Sequence, residues 1–262
     1  MNELTIVIPA KNEAESLPDV LKDLVDLNVK IIVSLPPSDE KTIDSIKKFN
    51  IKIHKQTYEG YGNSLVEAIN ICDTEYFCIF NADGSFDKND LKKMYDLIFN
   101  YEFIYTSRYL KNGSSDDDTI ITYVGNRIFS FLGQFLFSLE INDILYTYLM
   151  GKTKSFNNLN IKSNDFRFCV ELPIKSKRNG MKFYSIAAHE KKRIAGKKKV
   201  NEFRDGFLLV AGTDRSIGLR EVAVQSYKPG KLPPDIEPGL GAVYTYEAGA
   251  ENFPNGCHVC EV

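Results

Sequence analysis

Asp83 ends a short apolar run, Phe77-Cys-Ile-Phe80, and Gly84-Ser85 follow it. A carboxylate at the carboxyl end of a buried strand reaches a ligand held above a sheet. Its hard oxygen suits Mg²⁺ or Mn²⁺, and beside a diphosphate such a cation would neutralise charge on a departing group. The same residues also read as a turn at Asp83-Gly84, with Asp87 capping the next helix. The basic run Glu190-Lys-Lys-Arg-Ile-Ala-Gly-Lys-Lys-Lys199 suits a diphosphate, an acidic membrane surface or plain solvation. It lacks the interleaved aromatics of a nucleic-acid strip, and a net charge of -2 supplies no wider basic field. Cys257-x-x-Cys260 has a zinc or redox spacing, but a single pair reads first as structural or incidental.

These residues need a frame. Leu4-Thr-Ile-Val-Ile8, Lys30-Ile-Ile-Val-Ser34, Ile51-Lys-Ile-His54, residues 76–80 and residues 103–107 read as strands. Helical spacing separates them, over residues 17–27, 40–49, 64–72 and 88–100. Alternation of this kind, with strands apolar on both faces, predicts an α/β sandwich around a mainly parallel sheet. Ligands then bind off the carboxyl ends of the strands, which points to Asn12, Glu13, Ser34, residues 60–63, Asp83 and Arg108. Residues 112–119 read as a mobile acidic loop and residues 125–137 as a helix. An irregular region to residue 165 follows, then helical stretches at 166–172 and 175–179 and a strand at 183–187.

Composition sets the outer bounds. A chain of 262 residues with 43% hydrophobic and 26% charged residues is an ordinary globular domain plus a remainder. Five scattered cysteines without a leader predict a reduced, cytoplasmic protein, free or at the cytoplasmic face of the membrane. The most apolar stretch, residues 128–141, is interrupted by Gln134 and Glu140, so it reads as an amphipathic or buried helix able to touch a membrane surface.

Five segments, in order, resemble family 2 glycosyltransferases of the GT-A fold, in the polyprenyl (dolichol) phosphate mannosyltransferase branch. They are Ile6-Val-Ile-Pro-Ala-Lys-Asn-Glu13, the glycine turn and helix from Tyr58 to Ile69, Phe80-Asn-Ala-Asp-Gly-Ser85, Ser107-Arg108-Tyr109 with Asn112-Gly113, and Arg193 with residues 196–207. The resemblance implies a glycosyltransferase domain over about residues 3–209 that moves a sugar from a nucleotide-sugar to a polyprenyl phosphate or glycan, with inversion and a divalent cation. It implies that Pro9, Ala10, Asn12, Glu13 and Gly62 line the nucleotide pocket. Asn81, Asp83 and Ser85 would face metal and diphosphate, with Asp83 and Ser85 as metal ligands. Arg108 and Arg127 would face an acceptor phosphate or the donor, and Lys199 the diphosphate. An acceptor phosphate needs no base; for a hydroxyl acceptor, Asp143 is the candidate to take the proton. Structural roles stand beside these: Asn12 as a helix cap, Glu13 as a dipole partner, Arg127 as a solvated helix residue.

The pattern departs from the family at four places. Asn81 replaces the first carboxylate of Asp-x-Asp, Ser34-Leu-Pro-Pro-Ser38 replaces the acidic pair after the second strand, the segment following Asp143 is stretched, and Lys198 stands where Ser is common. A nucleotidyltransferase would need similar metal and diphosphate contacts, but it opens on a Gly-rich basic loop that Pro9-Ala-Lys-Asn-Glu13 is not. Residues 212–223 and 252–262 resemble pieces of molybdenum hydroxylase large subunits (xanthine or carbon monoxide dehydrogenase type). Residues 210–262 therefore read as a chimeric fragment joined from an unrelated frame, or as a short tail of its own; on the first reading the chain could instead be a non-catalytic fragment.

Overall fold

The computed structural model describes residues 1–195. Lys199, the expected boundary near residue 209, the 210–262 tail, Cys257 and Cys260 lie outside the described residues.

The chain runs β1 (Leu4–Pro9), α1 (Leu17–Leu24), β2 (Lys30–Leu35), α2 (Glu40–Ile46), β3 (Lys52–Lys55), α3 (Tyr61–Asn70), β4 (Tyr76–Ile79), α4 (Asn89–Leu97) and β5 (Phe103–Ser107). It continues with β6 (Ser114–Ser115), α5 (Ile120–Phe137), β7 (Leu149–Lys152), α6 (Thr153–Asn158), α7 (Phe168–Arg178), β8 (Phe183–Ala187) and β9 (His189–Glu190). The main sheet has the order β3-β2-β1-β4-β7-β5-β8. Its pairings are parallel except those of β7, which runs antiparallel to both β4 and β5.

Strand alternation feeds two apolar layers. Leu4, Ile6 and Ile8 face a core shared with α1, α2 and α4. Val7, Ile32, Phe77, Ile79 and Phe103 face the layer under α3, α6 and α7. Both faces being covered is why these strands read as continuous apolar runs, and each fully buried side chain of this size contributes about 1.5–3 kcal/mol. The α/β expectation therefore holds.

Three local expectations change. β7 falls in the stretch read as irregular. Its Leu149-Met-Gly-Lys152 has little strand character of its own, and Gly151 is small so that the rings of Phe77 and Phe103 can close over it. α5 starts five residues before residue 125, because Thr119 accepts from the Thr122 N–H and Thr122 returns a bond to the Thr119 backbone. α7 runs through Pro173 as one helix; burial of Phe168, Leu172 and Ile174 outweighs one missing backbone hydrogen bond.

Candidate active site

β1 and β4 are parallel neighbours, with Val7 opposite Ile79, so the loops after them leave from one edge of the sheet. The Phe80 N–H donates to the Val7 carbonyl at 2.9 Å and extends the pairing toward that edge. The chain then turns tightly. Asp83 Oδ1 accepts from the Ser85 N–H at 3.0 Å and from the Ser85 hydroxyl at 2.7 Å. Asn81 Nδ2 lies 3.5 Å from Ser85 Oγ. Three oxygen-bearing side chains are thus gathered in one turn, with Gly84 at φ +82°, a conformation that glycine adopts without strain.

Residues 191–194 lie across this turn. The Lys191 N–H donates to the Ser85 carbonyl and the Ile194 N–H to the Asp83 carbonyl, both at 2.8 Å. A Cβ on Gly84 would strike the Ile194 side chain. Arg193 donates to Asp117 at 2.7 Å and stands 3.9 Å from Asp83. The Asp117 hydrogen bond, then the charges of Asp117 and Asp83, raise the Arg193 pKa against burial. Lys191 lies 3.3 Å from Asp87. This end of the basic run therefore meets carboxylates of the chain itself. The contact between Asp117 and Arg193 had no signal in the sequence beyond the opposite charges of two distant runs.

The acidic loop read as mobile is fastened in the structure. Ser114 and Ser115 pair with His189 and Glu190, and the Asp116 N–H donates to the Glu190 carbonyl at 2.9 Å. Asp118 accepts from the Tyr109 hydroxyl at 2.6 Å.

On the β1 side, Pro9 ends the strand and the Ala10 N–H donates to the Ser34 carbonyl at 2.8 Å. Asn12 takes φ +57°, a turn Asn tolerates, and this aims its N–H at Asp39 Oδ2, 2.6 Å away. Asp39 also caps α2 by accepting from the Thr42 N–H. Thr42 Oγ1 accepts from the Glu13 N–H at 3.0 Å, and Glu13 accepts from the Ser16 hydroxyl at 2.7 Å. Asp39 holds this loop in place of the missing acidic pair after β2. Its signal was Asp39-Glu-Lys-Thr42 ahead of apolar Ile43, a capping pattern. Asn12 does not cap α1, whose cap position is Ser16.

Gly62 serves packing. It sits in the first turn of α3, where a Cβ would run into the carbonyl oxygens of Ser163 and Asp165. The Asn63 N–H donates to the Asn164 carbonyl at 3.3 Å. Glu171 pins this covering loop by accepting from the Lys162 and Ser163 N–H groups and pairing with Lys175 at 2.6 Å. Burial works to raise the Glu171 pKa, but Lys175 and these N–H groups outweigh it and the net shift is downward. A depressed carboxyl pKa gives stabilisation that is complete above the unfolded value and is lost as pH falls through the folded one. The stability difference between wild type and Glu171→Gln, followed by urea unfolding, is expected to be full at neutral pH and to shrink as pH falls below the unperturbed value of 4.5. A difference independent of pH would contradict this.

Arg108 and Asp143 face each other rather than an open site. Arg108 donates to both Asp143 oxygens, at 2.8 and 2.9 Å, to Glu190 at 3.0 Å and to Asp118 at 3.3 Å. Its guanidinium also lies over the rings of Tyr146 and Tyr109. Burial opposes its charge, yet Asp143 and Glu190 hold it firmly protonated. Burial raises the Asp143 and Glu190 pKa values while Arg108 pulls them down, and burial wins. With Asp143 1% exposed and both its oxygens engaged, the geometry makes it the partner of Arg108 rather than an open proton acceptor. Arg108 spends four of its five N–H donors on three carboxylates, which makes it a buried clamp. Arg127 is exposed on α5, its guanidinium 5.8 Å from the centre of the Tyr109 ring.

The structure thus brings together Asn81, Asp83 and Ser85, and separately Pro9 to Glu13, on one sheet edge. Among the described residues no group of three or more His, Cys, Asp or Glu is arranged to hold a metal. The donors at the turn, one carboxylate with hydroxyl and amide oxygens, are hard. They fit Mg²⁺ or Mn²⁺ bound largely through a diphosphate.

Comparison with known proteins agrees with this frame. Residues 5–159 match Glycosyl transferase family 2. The chain is 26% identical over 182 residues to "Glycosyltransferase AglJ" of Haloferax volcanii, covering 68% of this chain and 59% of that relative, so it spans about three fifths of that protein's length. It is 22% identical to the "Dolichyl-phosphate hexose transferase" of the same organism, over 78% of this chain and 90% of the relative. Among solved structures, glucosyl-3-phosphoglycerate synthase from Mycobacterium tuberculosis, in complex with Mn²⁺, UDP-glucose and phosphoglyceric acid, superposes with a TM-score of 0.59 at 11% identity, covering 77% of this chain and 74% of that one. Mannosyl-3-phosphoglycerate synthase from Rubrobacter xylanophilus gives 0.59 at 11% identity, over 76% and 68%. These structures share the GT-A fold, and the chain belongs to glycosyl transferase family 2.

Proposed function

We propose that this domain transfers a sugar from a nucleotide-sugar to an acceptor phosphate carried on a polyprenyl lipid, with inversion at the anomeric carbon. The observation that carries the reading is the Asn81-Asp83-Ser85 turn at the carboxyl end of β4, beside the Pro9 to Glu13 loop, in a family 2 domain. The similarity to a dolichyl-phosphate hexose transferase supports the lipid phosphate over a glycan hydroxyl. So does chemistry: a phosphate acceptor is anionic at neutral pH and needs no base, and Asp143 is bound to Arg108.

In this reading the Pro9 to Glu13 loop, fixed by Asp39, lines the nucleotide. Asp83, with Ser85 and Asn81, would hold Mg²⁺ or Mn²⁺. Such a cation, when bound, offsets charge on the diphosphate leaving group. Arg193 adds a second positive charge 3.9 Å from Asp83, where it stabilises negative charge developing on that leaving group. Of the two arginines expected to face the acceptor, Arg127, exposed beside Tyr109, is the one placed to meet its phosphate. Lys199 keeps its assignment to the diphosphate.

Incubation with a panel of nucleotide-sugars and a short polyprenyl phosphate tests this. The expected product is a lipid-linked sugar of inverted configuration. Transfer only to a glycan hydroxyl would overturn the acceptor assignment, and a retained configuration would overturn the inverting one.

A further inference from the structure

α5 presents its apolar side outward. The residues it buries are Thr122, Asn126, Ser130 and Gly133. Ile120, Val124, Ile128, Phe131 and Phe135 are exposed, Phe131 at 62% and Phe135 at 75%. At about 100° per residue these five fall within an arc of about 80°. The Phe131 and Phe135 rings stack, with centroids 6.2 Å apart. Surface helices of globular proteins normally turn the other way, and contiguous apolar patches on a monomer mark interaction sites.

The orientation is fixed from beneath. Asn126 donates to the Tyr109 hydroxyl at 3.0 Å, Ser130 accepts from the Ile144 N–H at 3.1 Å, and Gln134 donates to the Ile141 carbonyl and to Asn142, both at 2.9 Å. Rolling the helix to hide its apolar face would break all of these at once.

We propose that this face of α5 docks on a lipid surface, with Phe131 and Phe135 in the upper acyl layer and Arg127 at the level of the lipid phosphates. Three features favour lipid over protein. A protein interface carries about one hydrogen bond per 100–200 Å² and a polar rim, whereas this face offers Arg127 and the Tyr123 hydroxyl, the Gln134 amide nitrogen being bonded inward to Ile141 and Asn142. Arg127 is the sole charged residue in α5, so the helix has no carboxylate to repel lipid phosphate. The helix is about 27 Å long, and no helix of the described residues is long and apolar enough to cross a membrane, so α5 lies along a surface rather than through it. Its first turn follows the loop in which Asp117 holds Arg193 beside Asp83. The N-terminal end of α5 therefore lies next to the candidate site. The proposal extends the lipid-phosphate reading, and vesicle binding is measured without transfer, so the two fail separately.

The test is co-sedimentation of the full chain with phosphatidylcholine vesicles, with and without phosphatidylglycerol. Wild type is expected to bind both, and binding to the neutral vesicles is expected to survive high salt because apolar area drives it. The pair Phe131→Glu and Phe135→Glu is expected to lower the partition coefficient by at least about tenfold. The pair Phe131→Leu and Phe135→Leu, which keeps the surface apolar, is expected to hold it within about threefold of wild type. An unchanged circular dichroism spectrum would show that the Glu pair folds; should it not fold, Ile120→Glu, at a position 84% exposed, carries the same test. Wild type remaining in the supernatant would overturn the proposal, as would Glu variants that bind like wild type. Lipid-independent self-association abolished by those variants would assign the face to a second copy instead.

Discussion

Asp83→Ala is expected to lower metal-dependent transfer by about 10²–10³-fold, the usual cost of losing one charge-stabilising group at a reacting centre, while leaving stability nearly unchanged. Asp83 is the only carboxylate of its turn, since Asn81 stands at the other acidic position, so nothing adjacent replaces its charge. Its hydrogen bonds to Ser85 are local, and the loss of a hydrogen bond costs about 0.5–1.5 kcal/mol, small beside the loss of transfer. Asn81→Asp is the converse variant. A second carboxylate beside Ser85 is expected to lower the Mn²⁺ concentration giving half-maximal rate. Steady-state rates against Mn²⁺ check both, and an unaffected rate in Asp83→Ala would remove Asp83 from the site.

Arg108→Met is expected to cost about 3–5 kcal/mol in urea unfolding. It strands Asp143, whose side chain is fully buried, without its partner, and it frees Glu190 and Asp118 to repel one another. The fold has few cheap ways to adjust, because this one guanidinium ties the end of β5 to the α5 entry loop, to β9 and to Asp143. Adding Asp143→Leu to Arg108→Met is expected to recover much of the loss, since removing both charges leaves neither unpaired. The same pair of variants separates the geometric role from the one the family resemblance implies. A phosphate-binding Arg108 would lose turnover with little change in stability, and the double variant would recover nothing.

What could be read from residue types follows the physics that is local. β1, β2, β4 and β5 are apolar on both faces because helices cover both, and that alone marks a parallel sheet and its ligand edge. Asp83 stands out because a polar residue interrupts a buried strand at that edge. β7 does not stand out. Its pairing is antiparallel, it contains Gly151, and it becomes a strand by pairing between β4 and β5, with the rings of Phe77 and Phe103 closing over that glycine. Gly62 makes a second kind of contact that residue types do not reveal. By resemblance it lines a nucleotide pocket, yet a Cβ on it would meet the 163–165 backbone, a contact about 100 positions away in sequence. Arg108 and Asp143 each read as a site residue, but their pairing across 35 positions joins them in one buried clamp. Asp39 carries no mark of its second role in the sequence, because a helix cap looks alike whether or not it also orders a neighbouring loop.

The most direct test of Asp83-dependent sugar transfer is release of nucleoside diphosphate from a panel of nucleotide-sugars, with and without Mn²⁺, by wild type and by Asp83→Ala in parallel. Release is expected from at least one donor, stimulated by the cation and lost in the variant. No release and no binding of any nucleotide-sugar by the folded wild type would contradict it.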